Sequence, residues 1–206
     1  MNTLRRALLA VCLLLPGLAL PNLAMAQTAP PSRIRGAIAG FNGDVLNIAT
    51  REGPMVAVHL PPNLQPTSLA RRDFSDIGPN SFIATVASPD ASGTLQALYV
   101  MIFPEAMRGV GEGHYDWDLA PGSSMTNATV TAPVTSAAGR KLSLVYKGAP
   151  IEIAVPAKAP ILAPAPATRA DLRPSAKVFI TATKGADGAF TASRVMVGKD
   201  GIDPPQ

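Results

Sequence analysis

Residues 53–102 align with 148–197 without a gap when the 206-residue chain is shifted by 95 positions. A repeat at fixed spacing restricts a chain to architectures made of two like units, because both copies carry one apolar pattern and must bury it in the same way. Eleven of the fifty positions are identical, among them Gly53 and Gly148, Pro61 and Pro156, Asp76 and Asp171, Pro79 and Pro174, Gly93 and Gly188, and Met101 and Met196. The apolar alternation agrees. Val56, Val58 and Leu60 fall on Ile151, Ile153 and Val155, while Ile83 falls on Val178 and Leu95 on Phe190.

The pattern within each copy is that of short strands. Ile34 to Phe41 alternates as a strand, Asn42-Gly43 signals a tight hairpin of type I′, and Val45 to Ala49 returns. Arg51-Glu52-Gly53 turns the chain into a half-buried strand on which Val56, Val58 and Leu60 alternate with Ala57 and His59. A longer connection, Asn63 to Asp76, has room for one helical turn around Ser68 to Phe74. Ser81 to Ala87 and Leu95 to Phe103 then form a hairpin about Asp90 to Gly93. In its second strand the apolar phase steps from Leu95 and Ala97 to Val100 and Ile102, and the second copy steps likewise from Phe190 and Ala192 to Val195 and Val197. A slip at one place in both copies predicts a β-bulge, which bends a strand as a small closed barrel requires.

These signals predict an all-β fold of two tandem, five-stranded, OB-like barrels, with an SH3-like barrel as the nearest competitor. The expected organisation is a signal peptide over 1–26, a first barrel over 27–103, an interdomain loop over 104–126, a second barrel over 127–199 and a tail over 200–206. The second copy's connection, Val155 to Ala170, carries Pro156, Pro160, Pro164 and Pro166 and is expected to run as a stiff extended loop.

Arg5 and Arg6 followed by an apolar run from Ala7 to Leu20 and by Ala24-Met25-Ala26 read as an export signal cleaved before Gln27. Pro16, Gly17 and Pro21 interrupt the run, which falls short of the roughly 20 apolar residues of a spanning helix. Val11 beside Cys12 is too bulky for lipoprotein processing. Cleavage would remove two positive charges and no negative ones, leaving 16 basic residues against 14 acidic and lowering the net charge from +4 to +2. Near-neutrality and export argue against nucleic acid as a partner. The single cysteine, Cys12, departs with the signal, which excludes disulfides, thiolate catalysis and zinc-cysteine sites from the mature chain.

The segment between the copies holds the only tryptophan, one of the two histidines and four of the 14 acidic residues within 23 positions. Its glycine density suits neither helix nor strand, so it reads as a loop, and loops on rigid scaffolds carry function. His114, Asp116 and Asp118 offer an imidazole and two carboxylates to a divalent transition metal, with a thioether from Met107 or Met125. The competing reading makes Tyr115 and Trp117 an interdomain plug. Ser123 and Ser124 near His114 raise a nucleophile with its base, but no elbow motif accompanies them. Gly109, Gly111 and Gly113 lack the strand and helix that frame a phosphate loop.

Gly111-Glu112-Gly113-His114, Asp116-Trp117-Asp118-Leu119 and Asp171-Leu172 with Lys177-Val178-Phe179-Ile180, set in tandem units behind a signal, resemble a family of exported bacterial β proteins. Their units are similar to the domain of unknown function 5666, an OB-like module without established activity. The resemblance implies export and the barrel fold, and no catalytic residue. A metal-transporter permease label carried by some relatives does not suit a mature chain without apolar spans. The reading is a periplasmic or secreted, non-catalytic protein without cofactor that binds an envelope protein, a polysaccharide or a small ligand. A periplasmic metal-binding protein and an envelope hydrolase are the alternatives.

Overall fold

The computed structural model describes residues 31–137 and 139–205, so the export signal expected over 1–26 lies outside the described residues. The fold is all-β. Its strands are β1 (Ser32–Asn42), β2 (Val45–Thr50), β3 (Met55–His59), β4 (Thr67–Arg72), β5 (Phe82–Pro89), β6 (Leu95–Ile102), β7 (Gly113–Asp116), β8 (Ser124–Ser136), β9 (Gly139–Tyr146), β10 (Ala149–Val155), β11 (Ile161–Pro166), β12 (Lys177–Lys184) and β13 (Phe190–Val197). Single 3-10 turns occupy Phe74–Asp76, Glu105–Met107 and Arg169–Asp171. Among the described residues no helix is long and apolar enough to cross a membrane.

Strand pairing closes two rings of five. The first runs β1-β2-β3-β13-β12 and back to β1, all antiparallel except the β3–β13 contact. The second runs β8-β9-β10-β6-β5 and back to β8, again with one parallel contact, β10–β6. Each ring has its own core, because inward side chains alternate with outward ones along every strand. Ile38, Leu46, Ile48, Val58 and Ile180 fill the first, and Ile83, Val100, Leu142, Leu144 and Ile153 the second. A third cluster, with Leu69, Val86, Tyr99, Met101, Leu162 and Met196, lies between them.

The chain passes between rings in a way the sequence does not announce. The boundaries 27–103 and 127–199 allot each ring one continuous stretch, whereas the first ring joins β1–β3 to β12–β13 and the second takes β5, β6 and β8–β10. The long connections are responsible. In place of a helical turn around Ser68 to Phe74, the first connection forms β4 and only then turns at Phe74–Asp76. Six extended residues advance about 20 Å, which carries the chain off its own ring. The proline-rich connection is extended as expected, but as a strand: β11 pairs antiparallel with β4 and parallel with β6. Prolines there leave carbonyls in need of donors, and the Ser68 hydroxyl lies 3.3 Å from the Ala165 oxygen and 3.0 Å from the Pro166 oxygen.

Local features recur at the repeat spacing. Register shifts fall between Val86 and Ala87 and between Thr181 and Ala182, which places the expected bulges at Leu98 and Ser193. Asn80 and Ser175 both hold positive φ, at 68° and 70°. The Asp76 carboxylate accepts the Asp73 N–H and the Asp171 carboxylate the Thr168 N–H, at 2.9 and 2.8 Å. In the β4–β11 register Leu69 faces Pro164, which lies 95 residues on. Apart from the β7–β8 pair, the ladder is the same read from either end: β10-β9-β8-β5-β6-β11 is ordered as β3-β2-β1-β12-β13-β4. The first hairpin is built on Gly43-Asp44, with positive φ at Gly43 alone, a type II′ pattern in place of the expected I′.

The β5–β6 turn depends on one carboxylate. Asp90 accepts hydrogen bonds from the Ser92 hydroxyl at 2.6 Å, the Gln96 amide at 2.9 Å, and the Ser92 and Thr94 backbone N–H groups at 2.9 and 3.0 Å. These bonds, the Ser92 hydroxyl first, lower its pKa from 3.8 to about 2. A depressed carboxylate pKa adds stability above the unfolded value, and that stability is lost as pH falls from 3.8 through about 2. Asp90→Asn is expected to lower the melting temperature at pH 7 and to flatten its decline between pH 4 and 2. Melting curves across that window check it; an unchanged slope refutes it.

Candidate functional site

The two rings and the connecting segment enclose a cleft of about 440 Å³. Small-molecule sites run from about 300 to 1,000 Å³ and are apolar with a few placed polar groups, and this cleft has that character. Methionine supplies the flexible part of the lining through Met101, Met107, Met125 and Met196, and Phe103, Phe179 and Trp117 the rigid part. Thioether side chains adapt to occupants of different shape.

The walls follow from strand alternation. On β1, Ile34, Gly36 and Ile38 face the first core, so Arg33 and Arg35 point out of that ring, and Arg35 lines the cleft with an exposure of only 3%. Past the β6 and β13 bulges, Val100 and Val195 face the cores while Met101 and Met196 face the cleft. Register counterparts stand on opposite walls. The β1 bulge at Ala39 matches the β8 bulge at Thr131, so Arg35 corresponds to Asn127, and the identical β5–β6 and β12–β13 spacings match Tyr99 with Arg194.

Arg35 donates through Nη2 to Asp118 Oδ1 at 2.9 Å, and its Nε has no hydrogen-bond partner among the described residues. Its guanidinium carbon lies 4.8 Å from the Phe179 ring centroid. Partial burial works against the Asp118 charge, but the Arg35 hydrogen bond and the charges of Arg35 and Arg33 outweigh it and hold its carboxyl below the usual range. On the other wall the Asn127 amide donates to the carbonyls of Val110 and Gly111, at 3.2 and 3.1 Å, which turns its Oδ1 away without a partner. Burial pushes the Tyr99 hydroxyl well above its ordinary pKa, so it stays protonated.

The segment expected as a loop over 104–126 is partly ordered as a 3-10 turn and a strand. β7 pairs with β8, and β8 begins at Ser124. Pairing along β8 satisfies the backbone that the glycines were expected to leave irregular. Trp117 packs in the cluster between the rings, with the Arg33 guanidinium carbon 3.9 Å from its ring centroid and Tyr115 at 6.1 Å. Both side chains line the cleft, Trp117 half-buried and Tyr115 exposed.

The four metal candidates are not brought together. His114 shares a 2.8 Å hydrogen bond with the Thr126 hydroxyl and stacks on Tyr146, Asp116 is exposed on β7, Asp118 faces the arginines and Met107 lines the cleft. Among the described residues no group of three or more His, Cys, Asp or Glu side chains is placed to hold a metal ion. The Ser123 hydroxyl donates to the Trp117 carbonyl at 2.9 Å.

Nothing in the sequence alone assigns a cleft role to Arg35, Asn127, Tyr99 or Phe179. A signal was available in Met101 and Met196, 95 positions apart and both on the phase opposite the core. Comparisons with protein-family models, with characterised proteins and with solved structures find no match.

Proposed function

We propose that the chain is an exported, non-catalytic binding protein that takes a small, largely apolar molecule in the cleft between its rings. One observation carries this reading: a cleft of about 440 Å³ in which methionine and aromatic side chains surround two buried polar groups, Arg35 and Asn127, each with an atom that has no partner among the described residues. Buried polar groups are normally satisfied, and orphaned ones inside an apolar cleft are suited to orienting an occupant.

The rings are OB-like barrels from an internal duplication, in keeping with the resemblance to the domain of unknown function 5666. The first ring's order β1-β2-β3-β13-β12, which is 1-2-3-5-4 along the chain, the paired bulges and the recurring turns support that reading. Arg5 and Arg6, the apolar run from Ala7 to Leu20 and Ala24-Met25-Ala26, read as an export signal, support a periplasmic or secreted location.

Trp117 is the only tryptophan and lines the cleft, so emission from it reports the site directly. Titration with the neutral fluorophore N-phenyl-1-naphthylamine is expected to give saturable energy transfer from Trp117 at one molecule per chain. Absence of saturable transfer overturns the binding role.

A further inference from the structure

The two walls of the cleft are built from corresponding positions, yet they differ in charge. The first ring contributes Arg35 and Arg194 where the second contributes Asn127 and Tyr99. An occupant is therefore read by a cationic wall on one side and by neutral polar groups on the other.

Arg35 has more hydrogen-bonding capacity than its surroundings use. It is 3% exposed, and among the described residues its Nε is unpartnered and its side chain has one hydrogen-bonded neighbour, a carboxylate whose side chain is 46% exposed. A guanidinium presents five donors in a planar fork suited to two-point recognition of a carboxylate. Asp118 engages a single point of that fork, from the water side, and so displays the chemistry the site accepts. The apolar remainder, Met101, Met125, Met196 and Phe179, offers nothing to a second charge.

We infer that the occupant is an amphipathic carboxylic acid, with its carboxylate on the Arg35 guanidinium beside or in place of Asp118 and its apolar body among the methionines. The inference rests on the cleft being a binding site and specifies the class of molecule it takes. Asp118 holds the cation while the site is empty and contends with the ligand for it. Asn127 Oδ1 remains as an acceptor for a hydroxyl or amide N–H on the ligand.

The test measures Trp117 emission against decanoate, 1-decanol and decyltrimethylammonium at pH 8, three heads on one tail. Decanoate is expected to bind about tenfold or more tightly than 1-decanol, the scale of a charge-assisted hydrogen bond, with the ammonium weakest. Arg35→Gln is expected to bring the acid-to-alcohol ratio close to one. Should that variant fail to fold, Asp118→Asn supplies the second reading, since removing the contending carboxylate is expected to tighten decanoate severalfold. Equal binding of acid and alcohol overturns the inference and leaves an apolar binding site. Binding by none of the three overturns both readings. A preference that persists in Arg35→Gln, or an unchanged decanoate affinity in Asp118→Asn, removes Arg35 as the reader and overturns the inference.

Discussion

A fragment spanning 27–103, expressed without the rest of the chain, is expected to show no folded monomer. It contains β1–β3 and the β5–β6 hairpin, which belong to different rings. Without β12 the outer edge of β1 loses a partner along Ser32 to Ala37, and β3 loses its contact with β13. Ile34, Leu46, Ile48, Val58 and Leu60 then stand uncovered on a three-stranded sheet. Such a sheet cannot offset the entropy of ordering its own backbone. The whole folding free energy, about 5 to 15 kcal/mol for an ordinary domain, is at stake. Mixing the fragment with residues 104–205 is expected to restore β circular dichroism and one cooperative melt, because the two pieces together hold every strand of both rings. A concentration-independent, cooperatively melting monomer of 27–103 contradicts this.

Gly36→Ala is expected to destabilise the intact protein by about 3 kcal/mol or more, toward the upper end of overpacking costs. Gly36 lies in β1 between β2 and β12, facing Thr50 on one side and Val178 on the other. A Cβ there would fall inside the Ala49 carbonyl oxygen and 2.8 Å from the Thr50 Cα. Both neighbours are backbone, so no side chain can swing aside, and the β1–β2 ladder must part. Gly40 in the same strand is the control, since a Cβ there meets nothing within 4 Å. Gly40→Ala is expected to be neutral or slightly stabilising by reducing the freedom of the unfolded chain. Urea melts of the two variants decide the matter, and equal midpoints refute it.

Strands, bulges and the Asp90 turn were legible in the sequence because they depend on neighbours within a few residues. Leu98 and Ser193 betray their bulges through a slip in alternation that needs no knowledge of the partner strand. The exchange of hairpins was not legible. Phe82–Pro89 pairs with β8 and not with β1 because β4 first carries the chain across to β11, a long-range pairing that no local preference records. β4 and β11 were hidden for a related reason. Thr67–Arg72 and Ile161–Pro166 are strands because they find each other across the molecule, and prolines at 164 and 166 argue against a strand wherever both edges must donate. At the cleft, Arg35 reads as an outward charge on an alternating strand until a second ring is known to cover it. The His114, Asp116 and Asp118 cluster had the opposite fault. Close spacing along the chain suggested convergence, and β7 instead keeps His114 and Asp116 at the second ring while Asp118 passes to the arginines of the first.

The second ring lies wholly within residues 82–155, nested between the two parts of the first. During synthesis the inner ring can close as soon as β10 has emerged. The outer one must wait for β13, some forty positions later. Until then β1–β3 remain an open sheet with apolar residues uncovered and a long loop still to be drawn shut. The order of emergence thus makes closure by the last hairpin the final event: the second ring can shut on its own contacts while the first stays open until its C-terminal strands have been made.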